Sequence, residues 1–190
     1  MSNILILGAG AMGTAFAYPC SDNNHKVSIV GTHLENDLIE ELNTNHFHSG
    51  LNLKILNTIK FYKYEMIKEV FNINPDLIVI AVSSKGIDWI SNELKKNLLN
   101  KKLPPLLMLT KGLSISNNSY ELLVDKLTRL LFQKGIKNIN LSAVGGPCLA
   151  AGLANRVQSG VVVASKNIET AIWLKKILTT DYYRITTSTD

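Results

Sequence analysis

Ile4-Leu5-Ile6-Leu7-Gly8-Ala9-Gly10-Ala11-Met12-Gly13 is a run of four apolar residues followed by three glycines at GxGxxG spacing. A short, continuous apolar run reads as a strand buried on both faces, and the small residues from about Ala11 read as a helix. The glycines have separate roles. Gly8 permits a tight turn, Gly10 lets a ligand approach the backbone, and Gly13 lets helix and strand pack closely. The helix start then presents N–H donors without acceptors and a positive dipole end, which together seat an anion. Pro19 stands where this helix is expected to end or bend, because proline donates no backbone hydrogen bond.

GxGxxG alone is a weak signal, but here it sits between a strand and a helix, and a second strand over Lys26 to Val30 closes the unit. That setting is a dinucleotide-binding fingerprint. An acid at the end of the second strand would bond the adenosine ribose of NAD. The chain has Gly31-Thr32-His33 there, with no acid and no Arg, so NAD and NADP both stay open. Thr32 either touches the ribose or a 2′-phosphate, or only caps its own helix.

The rest of the chain repeats the strand–helix alternation of a parallel α/β sheet. Thr32 and Glu35 have capping-box spacing, which predicts a helix carrying Leu38, Ile39 and Leu42 on one face. Asn43 to Leu53 reads as a polar loop, Ile55 to Tyr62 as holding a short strand, and Glu65 to Phe71 as a helix. Asn74-Pro75-Asp76 turns the chain into an apolar strand, Leu77 to Val82, with a helix near Ile87 to Leu99. Pro104-Pro105 precedes strand Leu106 to Leu109. Asn118 and Glu121 again have capping spacing, predicting a helix with Leu122, Leu123, Leu127, Leu130 and Leu131. Strands follow at Asn140 to Val144, Gly160 to Ala164 and Tyr183 to Thr186, with a helix over Ile168 to Leu178. The expected fold is one doubly wound, mainly parallel sheet of about eight strands in a single domain over residues 1–190.

Composition narrows the function. The chain is 46% hydrophobic and 18% charged, as suits a globular protein. No apolar run reaches the ~18–20 residues of a membrane span, and no basic leader precedes the first strand, so the cytoplasm is the expected location. The net charge is +5, but the only arginines are Arg129, Arg156 and Arg184 and the lysines are dispersed, which argues against a nucleic-acid face. Cys20 and Cys148 make neither a disulfide framework nor a CxxC metal site. His46 and His48 are two apart in a polar stretch and are read as loop residues, so no metal is expected.

Three further motifs fall at strand ends, where open α/β sheets bind ligands. Ala81-Val82-Ser83-Ser84 is a cofactor-facing loop or an ordinary turn. In Thr110-Lys111-Gly112 the lysine either holds a phosphate or polarises a carbonyl, or is a plain surface residue. Gly145-Gly146-Pro147-Cys148-Leu149-Ala150 is a close backbone turn, and Cys148 reads as a small packing residue because no His or acid stands near it in sequence.

With these motifs in order, the chain resembles the NAD(P)-dependent glycerol-3-phosphate dehydrogenases. The matching series is Gly8-x-Gly10-x-x-Gly13-Thr14-Ala15, Asn74-Pro75-Asp76, Thr110-Lys111-Gly112-Leu113, Gly146-Pro147 and Thr187-Ser188-x-Asp190. The resemblance implies reversible hydride transfer between NAD(P)H and dihydroxyacetone phosphate, giving glycerol 3-phosphate for phospholipid synthesis. It implies that Ala11, Met12, Thr32 and Ala150 line the cofactor, that Lys111 touches cofactor and substrate as the catalytic cation, and that Gly146 and Cys148 border the substrate. The chain departs from the family at Cys148, usually Ser or Thr, at Leu149, usually aromatic, and at Gly152, usually Glu. Family members continue into a helical domain with the acid/base lysine and phosphate-binding residues, so the resemblance implies a cofactor half that turns over little substrate alone, and leaves room for a homodimer at full length. Ketopantoate-type or hydroxyacid reductases share the glycine loop but fit Thr110-Lys111-Gly112 and Gly146-Pro147 less well. A non-enzymatic dinucleotide module is the other alternative.

Overall fold

Ile4 to Leu7 have no solvent exposure, and the reason is their place between two parallel neighbours. In the computed structural model, which describes residues 1–116 and 118–189, the chain opens with β1 (Asn3–Leu7), α1 (Ala11–Asp22), β2 (Lys26–Val30) and α2 (Asn36–Asn45). Next come β3 (Phe47–His48), β4 (Leu53–Lys54), β5 (Ile59–Tyr62), α3 (Ile67–Phe71), β6 (Leu77–Ile80) and α4 (Ile87–Leu98). Then follow β7 (Leu106–Met108), β8 (Leu113–Ser116), β9 (Ser119–Leu122), α5 (Leu123–Gln133) and β10 (Leu141–Gly145). The last elements are α6 (Ala150–Ala154), β11 (Ser159–Ser165), α7 (Ile168–Leu178) and β12 (Tyr183–Ser188).

Eight strands form one sheet in the order β12-β11-β10-β7-β6-β1-β2-β5. All its pairings are parallel except β10 with β11. Ile6 lies opposite Ile29 on one side and Val79 on the other. Alternation along each strand divides the core into two layers. Ile4, Ile6, Ile29, Val79 and Leu107 meet Phe16 of α1 and Leu174 of α7, while Leu5, Leu7, Ile78, Ile80 and Met108 meet Ile90 of α4 and Leu127 of α5. Each large side chain buried this way contributes about 1.5–3 kcal/mol. The chain runs from β1 out to β5 and then returns to β6 on the other flank of β1, which places the topological switch at the end of β1.

Several local expectations give way to longer-range packing. Residues 113–116 and 119–122 pair as a hairpin, with Leu113 opposite Leu122 and Ile115 opposite Tyr120. Asn118 does not cap a helix: it takes φ +59° in the hairpin turn, and α5 starts only at Leu123. The period-2 pattern Leu-Ser-Ile-Ser prevails over the capping spacing, and the Glu121 carboxylate accepts from Arg129 of α5, 2.6 Å from Nη2. Residues 43–53, read as a loop, hold the end of α2, the pair β3–β4 and a 3₁₀ turn over Ser49–Leu51. His48 lies buried rather than on a surface loop. Pro19 sits inside α1, which continues to Asp22; the Asn23 N–H closes the end on the Pro19 carbonyl. The helix after β2 begins at Asn36, later than the capping spacing suggested.

Asp22 at the end of α1 ties together distant parts of the chain. Its carboxylate accepts from Arg156 Nε at 2.8 Å and Nη2 at 2.9 Å, and from the Tyr182 hydroxyl at 2.6 Å. The Arg156 guanidinium lies 5.4 Å from the Tyr18 ring centre. One carboxylate thus fastens the segment after α6 and the approach to β12 onto α1.

Candidate functional site

The glycine loop between β1 and α1 has the geometry its sequence demands. Gly8 has φ +110°, and a Cβ there would lie 2.7 Å from the Ala81 carbonyl oxygen. At Gly13 a Cβ would lie 2.2 Å from the Gly8 carbonyl oxygen, so helix and turn touch through bare backbone. Gly10 differs: its φ is −59°, open to any residue, and a Cβ would meet only Glu35 Oε1, at 3.5 Å. The protein's own packing therefore does not require glycine at position 10. A ligand lying close to the backbone at this point would require it. Gly10 is the N-cap of α1 and brings no side chain to it, so the first-turn N–H groups at Ala11, Met12 and Gly13 lack intrahelical acceptors and are suited to meet an anion. These features fit a diphosphate.

Side chains from other elements brace this loop. Glu35 Oε2 accepts the N–H groups of Ala9 at 3.1 Å and Thr32 at 2.7 Å. Thr14 Oγ1 donates to the Ala9 carbonyl at 2.8 Å. His48 Nδ1 accepts from the Leu51 N–H, so its Nε2 carries the proton and donates to the same Ala9 carbonyl, 3.2 Å away. From sequence, Glu35 reads only as a helix-capping residue and His48 only as a loop residue; the structure sets both against the glycine turn. The signal for Glu35 was present: it stands about 20 residues beyond the glycines, the usual interval to a ribose-binding acid, but beyond the strand end where such an acid was sought. Thr32 is half-buried and its hydroxyl accepts from the Leu34 N–H at 3.3 Å, a local turn contact.

The motifs after β6, β7 and β10 lie on the same sheet edge, because β1, β6, β7 and β10 run in one direction. The Thr110 hydroxyl donates to the Val82 carbonyl at 2.6 Å, joining the turns after β7 and β6. Ser83, beside it, is exposed at the start of the 3₁₀ turn Ser84–Gly86. Lys111 Nζ donates to the Gly146 carbonyl at 2.5 Å, which joins the turns after β7 and β10 across 35 residues of sequence. Gly146 has φ +106°, and a Cβ there would sit 3.3 Å from the Gly160 carbonyl oxygen. Cys148 is half-buried against the α1-side core, and burial pushes its thiol up, opposed by Ser159 and Lys111. Ala150 opens α6 and packs on that core. Asp190 lies outside the described residues. Among the described residues no three His, Cys, Asp or Glu groups are placed to hold a metal ion, and no helix is long and apolar enough to cross a membrane.

An open, doubly wound sheet with a glycine turn and a helix N-terminus at its switch point defines a Rossmann-type domain. The chain belongs to the NAD-dependent glycerol-3-phosphate dehydrogenase family, whose N-terminal region it matches over residues 3–171. It is 27% identical over 187 residues to an NADP(+)-dependent glycerol-3-phosphate dehydrogenase of Archaeoglobus fulgidus, covering 98% of this chain and 53% of that protein. It is 31% identical over 189 residues to a glycerol-3-phosphate dehydrogenase [NAD(P)+] of Streptococcus agalactiae, with the same coverage, 98% and 53%. The chain thus spans about half the length of the curated relatives it matches. Its fold is shared with the crystal structure of glycerol-3-phosphate dehydrogenase from Coxiella burnetii, at TM-score 0.84 and 22% identity, covering all of this chain and 54% of that one. The Plasmodium falciparum enzyme gives TM-score 0.82 at 18% identity, covering 98% of this chain and 52% of that one.

Proposed function

We propose that this chain is the cofactor-holding half of an oxidoreductase that interconverts dihydroxyacetone phosphate and sn-glycerol 3-phosphate with NAD(H) or NADP(H). The observation that carries the reading is the meeting of the Gly8–Gly13 turn and the Lys111–Gly146 contact on one sheet edge. Gly8, Gly10 and Gly13, with the N–H groups of Ala11 and Met12, hold the diphosphate. Thr32 lies toward the adenosine end, and Ser83 and Ala150 line the cofactor's flanks. The bound reduced nicotinamide supplies a hydride. Lys111 stands where reduction puts negative charge on the substrate carbonyl oxygen. Its ammonium spends one N–H on the Gly146 carbonyl, which aims it, and has two more to stabilise that charge. Gly146 and Cys148 border the substrate; a protonated thiol there packs and does not attack.

The second half of the relatives' length is the natural source of an acid/base lysine and a phosphate clamp. Apolar surface that such a half would cover supports this: Leu113, Ile115 and Leu122 of the hairpin and Val162 of β11 are exposed. Both cysteines are free thiols, in keeping with a reducing cytoplasm.

Oxidation of NADH or NADPH dependent on dihydroxyacetone phosphate tests the proposal. Residues 1–190 should bind reduced cofactor with little turnover, and the protein at family length should turn over. Lys111→Met in the longer protein should lower kcat about 100- to 1,000-fold, with a smaller loss of cofactor affinity. Full activity from residues 1–190 alone refutes the division of labour. A preference for ketopantoate or a 2-hydroxyacid refutes the substrate.

A further inference from the structure

We propose that the protein carries a second anion site, apart from the glycine turn: a groove over the first halves of β2 and β5 that binds a small organic phosphate monoester through Lys26, Ser28 and Lys60. The inference does not depend on the dinucleotide reading.

Strand alternation builds the groove. Lys26, Ser28 and Val30 of β2 share one face, and the register sets Ser28 beside Lys60 and Val30 beside Tyr62 of β5. The helix on this face, α3, has only five residues. Its Ile67, Val70 and Phe71 join Val30 in the core, while Ser28 and the two lysines stay outside that cluster. The stretch that α3 leaves uncovered is a groove of about 720 Å³, within the range of small-molecule sites. Half-buried Tyr62 and exposed Ile73 give it an apolar wall.

Its polar groups are unmatched. Ser28 lines the groove at 6% exposure, and its hydroxyl makes no hydrogen bond to the described residues, although a buried hydroxyl ordinarily has a partner. Lys26 and Lys60 are exposed, and among the described residues neither ammonium has an ion-pair or hydrogen-bond partner. No Asp or Glu lines the groove. Asp76, near the start of β1, accepts the Asn3 N–H at 2.8 Å. His25 is engaged on both ring nitrogens, with the Ser2 N–H at 3.0 Å and the Ile177 carbonyl at 2.8 Å. Two ammoniums and a hydroxyl, without a competing carboxylate, are donors suited to a phosphate. A lysine on an edge strand also deters strand pairing, but that role gives no reason for Ser28 on the interior strand beside it. Asn3, next to Lys26 in the sheet, is separated from Leu7 by about 13 Å of strand, so the groove and the glycine turn do not share one small ligand.

Titration of the ¹⁵N-labelled protein with inorganic phosphate, phenyl phosphate and benzoate, followed by amide NMR shifts, tests the inference. Both phosphates should shift Ser28 and Lys60 saturably, and phenyl phosphate should bind at least about tenfold tighter than either other probe. Raising NaCl from about 20 to about 300 mM should weaken the binding. Lys60→Gln changes an exposed side chain, and it should lower phenyl phosphate affinity at least about tenfold; Ser28→Ala should lower it about threefold. No saturable shift at Ser28 and Lys60, or shifts confined to residues 8–13, overturns the site. So does unchanged affinity in a folded Lys60→Gln variant. Benzoate binding as tightly as phenyl phosphate overturns the phosphate class, and inorganic phosphate doing so overturns the organic group.

Discussion

Gly10 and Gly13 stand three residues apart in one turn, yet alanine at each should have opposite consequences. At Gly13 the added methyl would lie 2.2 Å from the Gly8 carbonyl oxygen and 3.0 Å from Ala81 Cβ. Both obstacles belong to packed elements, so α1 must retreat by roughly 1 Å in an interior without slack. Overpacking of this kind costs about 1–3 kcal/mol, and backbone as the obstacle places it at the upper end. Better helix propensity returns about 1 kcal/mol. The net loss is about 2 kcal/mol, or roughly 4–8 °C in Tm for a domain of this size. At Gly10 the methyl has ordinary room, 3.5 Å from Glu35 Oε1, at φ −59°. Reduced freedom of the unfolded chain then stabilises Gly10→Ala by about 0.4–1 kcal/mol. The same methyl fills the diphosphate's approach, so NADH affinity should fall at least about tenfold. Thermal melts followed by circular dichroism, with calorimetric NADH titration, separate the two effects. If Gly10→Ala melts as early as Gly13→Ala, or binds NADH undiminished, the assignment of one glycine to ligand and one to packing is wrong.

Asp22→Asn should lower stability to chemical denaturation by about 1–2 kcal/mol, since it weakens charge-assisted bonds to a partly exposed Arg156. The Arg156 guanidinium, aided by the Tyr182 hydroxyl and against burial, holds the Asp22 carboxyl below its ordinary range. Its contribution is therefore present above the unfolded pKa, near pH 4, and lost as pH falls through the lower folded value. The variant's stability should accordingly fall less steeply than the parent's below about pH 4; parallel acid limbs would contradict this. Native thiol labelling at pH 7 should modify half-buried Cys148 slowly and fully buried Cys20 not at all, with both reacting after unfolding. Rapid native reaction at Cys20 would show that α1 is not packed as described.

The local chain determined a good deal. Uninterrupted apolar runs at residues 4–7, 77–80 and 106–108 became strands buried on both faces, because such runs are stable only where both faces are covered. The conformations at Gly8 and Gly13 were likewise legible, since a tight turn and a close helix admit no side chain whatever the rest of the fold does. Where neighbours in sequence offered two satisfactory local structures, the reading went wrong. Residues 118–123 had a helix cap and a strand alternation superimposed, and the Glu121–Arg129 pairing and the β8–β9 ladder decided between them. The site itself belongs to the tertiary structure. Lys111 meets Gly146, and Glu35 and His48 meet the Ala9 peptide, only because strand order brings the ends of β1, β2, β7 and β10 to one edge. No spacing in the sequence encodes that order directly. It follows from which arrangement of strands buries both layers of the core at once, a sum over contacts between residues far apart in the chain.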